Sequence, residues 1–214
     1  RVLFRSWGLV MNWLTRDSEP PEELRQLQAC VQDQVRTFHW MAEYPEIFYA
    51  GRHDPLAAGA SGAGAVAFMD GFVGNPPFMG GGQVSGTLGS AYKDWLPTIH
   101  AGAHGNADYC GHFFRRADTL LGDHGTTGFI ATNTIAQGDT EETALKPLID
   151  AGRRIYAATS STPWPGNAAV TVAIVHVAQG SAAAEQSTGP SILDGQQVPY
   201  INTSLRGKPQ RERS

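Results

Sequence analysis

Residues 65–78, AVAFMDGFVGNPPF, constrain the fold more than any other stretch of this sequence. Ala65 to Val73 is apolar apart from Asp70 and reads as a buried strand. Gly74, Asn75, Pro76 and Pro77 then end it abruptly. Proline has a fixed φ and no N–H, so two in a row cannot continue a ladder. A strand that stops in a stiff loop points to a sheet that presents its strand ends. In α/β folds the carboxyl edge of the sheet is where ligands bind.

The surrounding pattern supports such a sheet. Pro20-Pro21-Glu22-Glu23 opens a helix, with prolines and acids in the first turn, and Leu24, Leu27, Val31 and Val35 follow at helical spacing. It ends between Phe38 and Ala42. Gly80 to Gly89 reads as a flexible loop, and Tyr92 to His100 as a short helix. Asn106 or Asp108 caps a further helix that runs to Leu121. Gly128 to Ile135 is a second strand. Thr140-Glu141-Glu142 opens a helix that ends at Gly152. Arg153 to Thr159 is a third strand, and Ala168 to Ala178 a fourth, after the turn at 163–167. Strands alternating with helices predict an α/β sheet, with an antiparallel pair at its end. Beyond Gln179 the composition reads as linker with weak strand signals.

Composition narrows the class. A chain of 214 residues suits one domain or slightly more. The 41% hydrophobic content is too high for a disordered chain. No apolar run reaches the ~20 residues that span a bilayer. Two cysteines, Cys30 and Cys110, are too few for a disulfide framework or a closed zinc site. The expected setting is reducing and cytoplasmic. The first six residues, Arg1 to Ser6, resemble a translated sequencing adaptor and are set aside as a scar. Residues 7–50 then read as a helical lead-in, 51–180 as the main body, which the resemblance given below makes the catalytic domain, and 181–214 as a linker.

The chemistry centres on Asn75, Pro76, Pro77 and Phe78. Asn75 offers a side-chain carbonyl, and Pro76 a backbone carbonyl. The prolines stiffen the loop, and Phe78 adds a flat apolar face. Two convergent acceptors beside an aromatic plate suit a planar group that carries an exocyclic NH2. The bland alternative is an ordinary Pro-rich strand-to-helix turn. The strand before the loop and the aromatic after it favour the functional reading.

Asn-Pro-Pro-Phe resembles the catalytic motif of amino-methyltransferases that use S-adenosylmethionine. Four further blocks extend the likeness: FHWMAEYPEIF before the motif, then NADYCGHFFRRADTLL, GFIATNTIAQGDT and PWPGNAAVTVAIVHV. In this order they resemble large adenine-specific DNA methyltransferases, above all the methylase parts of Type IIG restriction–modification and phage-defence enzymes. The likeness runs from Phe38 to Asp194. It implies a Rossmann-like class I methyltransferase sheet, S-adenosylmethionine as methyl donor, double-stranded DNA as partner and no metal for the transfer.

By that resemblance, Asn75 and the Pro76 carbonyl hold the amino group of a flipped adenine, and Phe78 stacks on the base. Trp164 falls where the family has a second aromatic; it either touches the base from the other side or is a turn Trp covering the core. Asp70 matches an acid five residues before the Asn and fixes the strand end. Asn133 and Thr134 resemble a block that shapes the base pocket or supports the cofactor side.

The departures matter too. The family's cofactor-binding glycine motif lies well upstream of the Asn. The cluster Gly59, Gly62 and Gly64 sits too close to the catalytic strand to be that motif, so the cofactor-binding residues are left unassigned. The resemblance therefore implies the C-terminal half of a catalytic domain, inactive alone, with a cofactor half before it and a target-recognition domain after Ser214. A net charge of -4 fits a piece without its recognition domain. Arg115-Arg116, Arg153-Arg154 and the run Arg206 to Arg213 read as solvated surface charge rather than phosphate contacts. His100 and His104 lack the further ligand that a zinc site requires. Cys30 and Cys110 read as structural. Two alternatives stay open: methylation of a protein glutamine amide, which uses a similar motif, and a non-catalytic methyltransferase-like binding module.

Overall fold

A computed structural model describes residues 19–26, 29, 43–44, 69–164 and 170–207. The chain divides into two compact units, Arg1–Glu46 and Ile47–Ser214. In the first, residues 22–26 are helical, and the Leu24 and Arg25 amides both donate to the Pro21 carbonyl. This is the helix start expected at the paired prolines. Leu27, Val31, Val35, Cys30, the Phe38–Phe48 block apart from Glu43 and Tyr44, the glycines at 59, 62 and 64, and residues 208–214 lie outside the described residues.

The second unit is an α/β sheet with helices packed on it. Among the described residues its elements are, in chain order, β1 (Met69–Gly74), α1 (Gly81–Leu88), α2 (Ser90–Ile99), α3 (Tyr109–Leu120), β2 (Leu121–Thr132), a 3-10 turn (Asn133–Ala136), α4 (Gly138–Thr143), α5 (Leu145–Asp150), β3 (Arg154–Pro163), β4 (Thr171–Ala178), α6 (Gly180–Gln186), β5 (Ser191–Leu193) and β6 (Gln196–Val198). The sheet order is β1-β2-β4-β3-β5-β6. β1 runs parallel to β2, while β4 is antiparallel to both β2 and β3. The expected antiparallel element is therefore present and sits between two strands that run with β1. The fold is Rossmann-like.

β4 is central, and its sequence explains why. Val172, Ala173, Val175, Val177 and Ala178 are all buried, leaving few positions for polar residues. β2 is covered less evenly: Phe129 and Ala131 are buried while Ile130 and Thr132 are only partly covered. α3 contributes Cys110, Phe114, Ala117 and Leu120, three or four residues apart, as one buried stripe. Phe114 meets Phe129 edge to face at 5.1 Å between centroids. Ile135, Leu145, Leu148, Ile155 and Val175 complete the same core.

Four expectations are corrected. β1 was expected to be buried; among the described residues it is an edge strand, with Phe72 against the core and Val73 95% exposed. Strand alternation sends these neighbours to opposite faces. Gly80 to Gly89, expected to be a loop, contains helix α1. Glycine weakens a helix, but close packing demands it here: a Cβ on Gly81 would lie 2.4 Å from the Asn106 carbonyl carbon. The helix expected from Thr140 to Gly152 is broken at Ala144 into α4 and α5. Residues after Gln179, expected to be linker, form α6 and the β5–β6 hairpin, and Ile201 and Leu205 reach the core. Their apolar side chains are too sparse to give a periodic signal; the contacts that order them are long-range.

Candidate active site

Because β1, β2 and β3 point the same way, the residues that follow each strand lie at the same edge of the sheet. Asn75 follows β1, Asn133 follows β2 and Trp164 follows β3. The sequence separates these positions widely; the inserted antiparallel β4 brings them to the same side.

Residues 75–80 are irregular. Asn75 and Pro77 are exposed, Pro76 is buried, and Phe78 is partly buried against the core. Phe78 meets Trp164 edge to face, with ring centroids 6.2 Å apart. Trp164 is itself partly exposed, and its amide donates to the Val170 carbonyl at 2.8 Å, closing the mouth of the β3–β4 connection. The two aromatics singled out for base contact thus touch each other.

The loop is fastened from outside itself. The Met79 amide donates to Asp108 Oδ1 at 3.3 Å, and the Tyr109 amide donates to the Met79 carbonyl at 2.8 Å. Asp108 also caps α3 by accepting from the Cys110 amide. Burial and the neighbouring Asp108 push the Cys110 thiol up to about 12, so it stays protonated at neutral pH. That is a structural cysteine, not a nucleophile.

Asp70 lies elsewhere. It sits near the start of β1, roughly 16 Å of extended chain from Asn75. Its carboxylate pairs with His124 Nε2 on the adjacent strand, on the exposed surface. It ties β1 to β2 at the edge away from the loop.

Asn133 opens the 3-10 turn and lines a cavity of about 450 Å³ with Glu141, Ser160, Ser161, Ser204 and Arg206. Sequence reading did not find the other five. Glu141 is buried and accepts hydrogen bonds from the Thr203 and Ser204 hydroxyls. Thr134 hydrogen-bonds Thr132 at 2.7 Å between hydroxyl oxygens.

Three arginines read as solvated charge turn out to bind the fold together. Arg115 donates to the Thr143 carbonyl at 3.0 Å. Arg153 grips Asp118 with two bonds of 2.7 and 3.1 Å. Arg154 reaches the Ser191 hydroxyl at 3.1 Å and the Pro199 carbonyl at 3.3 Å. Their sequence neighbours gave no sign of these partners.

His100 and His104 do not converge. His100 ends α2 and lies against the His112 ring, while His104 pairs with Glu142 at 3.1 Å. Among the described residues no group of three or more His, Cys, Asp or Glu side chains is arranged to hold a metal. No described helix is long and apolar enough to cross a membrane.

Comparison with known families decides the assignment. Residues 24–188 match the family described as "MmeI, DNA-methyltransferase domain". The chain belongs to that family. A solved Type IIL restriction-modification enzyme, MmeI in complex with DNA, shares the fold, with a TM-score of 0.52 at 21% identity. The match covers 64% of this chain and 19% of that one. No curated protein matches significantly. The MmeI-family assignment agrees with the resemblance drawn from the sequence blocks, and the matched span contains the Asn75–Phe78 loop, Asn133 and Trp164.

Proposed function

We propose that this domain transfers a methyl group from S-adenosylmethionine to the exocyclic amino group of adenine in double-stranded DNA. The observation that carries the reading is the meeting of the Asn75–Phe78 loop and Trp164 at one edge of the sheet, in a chain of the MmeI methyltransferase family.

The chemistry asks little of the protein beyond position. The Asn75 side-chain carbonyl and the Pro76 backbone carbonyl accept the two amino hydrogens. That draws the nitrogen lone pair out of conjugation and aims it at the sulfonium methyl. The N–C bond forms as the C–S bond breaks, and the extra proton leaves to solvent. Rate enhancement comes from alignment and from dipoles already in place. The amino nitrogen is paired within the duplex, so the base has to leave the stack first. Phe78 offers it a stacking face.

Trp164 fills a second role in this reading. Flanking a planar base on both faces needs about 7 Å between ring planes, twice an ordinary carbon contact. The edge-to-face contact of Phe78 and Trp164 is a closed arrangement, so base entry turns Trp164 away from Phe78. Asn133 stands beside this edge and shapes it.

The donor's adenosyl-binding residues are not assigned to this chain. We propose that donor binding and DNA recognition fall to other parts of an MmeI-like protein, since the match covers 19% of the solved enzyme, and that the protein works in the cytoplasm. The chain alone is then expected not to bind S-adenosylmethionine at micromolar concentration; calorimetry tests this.

The deciding assay uses the full-length protein, labelled S-adenosylmethionine and duplex DNA. Label on adenine that vanishes with Asn75→Ala supports the reading. Label on protein glutamine, or none despite donor binding, overturns it.

A further inference from the structure

We infer that Asp108 is a positioning residue that holds the Asn75–Phe78 loop in its working geometry. The inference rests on reading that loop as the methyl-transfer site.

The loop is unable to hold itself. Pro76 and Pro77 lack N–H groups, and residues 75–80 join no strand or helix. Phe78 packs against the core and Trp164, and the side chain that hydrogen-bonds the loop from another part of the chain is Asp108. Asp108 is only 7% exposed, and its carboxylate serves three donors: the Met79 amide at 3.3 Å, the Cys110 amide at 3.1 Å and the Thr132 hydroxyl at 3.2 Å. The Tyr109 amide answers with a bond to the Met79 carbonyl at 2.8 Å, so both backbone groups of Met79 are clasped. The Asp108 amide donates to Thr140 Oγ1 at 2.9 Å.

A helix cap needs only one of these contacts. The others join the residue after Phe78 to the residue before Asn133. Asp108 therefore locks the end of the catalytic loop to the carboxyl end of β2 and to the start of α3. It touches no reacting atom; it acts through Met79 on Phe78 and Asn75. A shift of an ångström in such a loop costs up to about 100-fold in rate.

The test compares Asp108→Ala, Asp108→Asn, Thr132→Val and Thr134→Val in the full-length protein. Two quantities are read: methyl-transfer kinetics on duplex DNA, and hydrogen exchange of the peptide containing Met79. Asparagine keeps Oδ1 as acceptor and turns its NH2 toward the Thr132 hydroxyl. The expectation is a kcat about tenfold or more lower in Asp108→Ala, with the DNA KM within about twofold and Asp108→Asn within about threefold of the parent. Exchange at Met79 rises about tenfold in Asp108→Ala while β2 and β4 keep their protection. Thr132→Val, which removes one bond of the clasp together with the Thr132–Thr134 hydrogen bond, lowers kcat severalfold, and Thr134→Val, which removes only the latter, leaves kcat within about twofold.

A folded Asp108→Ala protein with unchanged kcat or unchanged Met79 exchange overturns the inference. Equal losses in the Asn and Ala variants do the same, because they mean the geometry is not what matters. If Asp108→Ala does not fold, Thr132→Val decides, and an unchanged kcat there overturns it. If the parent methylates no DNA, the functional reading fails, and Met79 exchange alone judges the clasp.

Discussion

Phe78 and Trp164 touch edge to face with their planes at 85°, although the strands that carry them are separated by β2 and β4 in the sheet. Three strand spacings amount to about 14 Å, which the two loops close from opposite sides. Edge-to-face pairs of this kind contribute ~0.5–1.5 kcal/mol beyond their buried area. A double-mutant cycle of Phe78→Ala and Trp164→Ala, read by urea unfolding, is expected to give a coupling energy in that range. Strict additivity would mean the contact does not form in solution.

Gly81 and its neighbour Gly82 make a paired prediction. A Cβ at Gly81 would meet the backbone of Asn106 at 2.4–2.5 Å, whereas one at Gly82 would meet nothing within 4 Å. Gly81→Ala is expected to cost about 1–3 kcal/mol through overpacking. Gly82→Ala is expected to gain roughly 0.5–1 kcal/mol from helix propensity. Opposite shifts of the urea midpoint check both, and equal shifts would contradict the close approach of α1 to the 106 turn.

His100 and His112 lie ring against ring at 5.3 Å between centroids. Burial first, then each other's and the Arg115 and Arg116 charges, bring the His100 pKa down to about 4. Burial and Arg115 do the same for His112, also to about 4. Both folded values lie below the unfolded 6.5, so the unfolded chain binds more protons between pH 4 and 6.5. Stability is therefore full above pH 6.5 and falls as pH drops through that window, by an amount of order a few kcal/mol for the pair. Urea unfolding as a function of pH measures the slope. His112→Phe, which also removes a buried Nδ1 without a partner among the described residues, is expected to flatten it.

Cys110 is fully buried, and its thiol is held near 12. In the folded protein at pH 8 it is expected to resist iodoacetamide, and to be alkylated at least about 100-fold faster in denaturant. Mass spectrometry of the peptide around Cys110 checks this. Rapid native alkylation would mean that α3 opens away from β2.

The local devices were readable. The prolines at 20–21 open a helix, Asp108 caps α3, and the dense apolar run of 171–178 makes the central strand. The loop that ends β1 at Asn75 was readable for the same reason: proline acts on its own residue and the one before it. What failed was whatever depended on a distant partner. Gly80 to Gly89 had the composition of a loop, and only Asn106 against Gly81 explains why a helix with so many glycines is held. Arg153 looked like surface charge, and only Asp118 shows otherwise. The buried side chains of Ile201 and Leu205 lie in a polar stretch whose order comes from the core they enter.

The sequence by itself determined where several elements start and stop, among them the helix after Pro20-Pro21, the cap of α3 and the loop that ends β1, because φ limits, caps and side-chain periodicity act within a few residues. The tertiary structure decided which of those loops meet. Inserting β4 antiparallel between β2 and β3 lets β1, β2 and β3 run in one direction, and so gathers Asn75, Asn133 and Trp164 at one edge. It also gave Asp108 its partners, joining a helix cap to the loop after β1, since hydrogen bonds between residues about thirty positions apart leave no local trace.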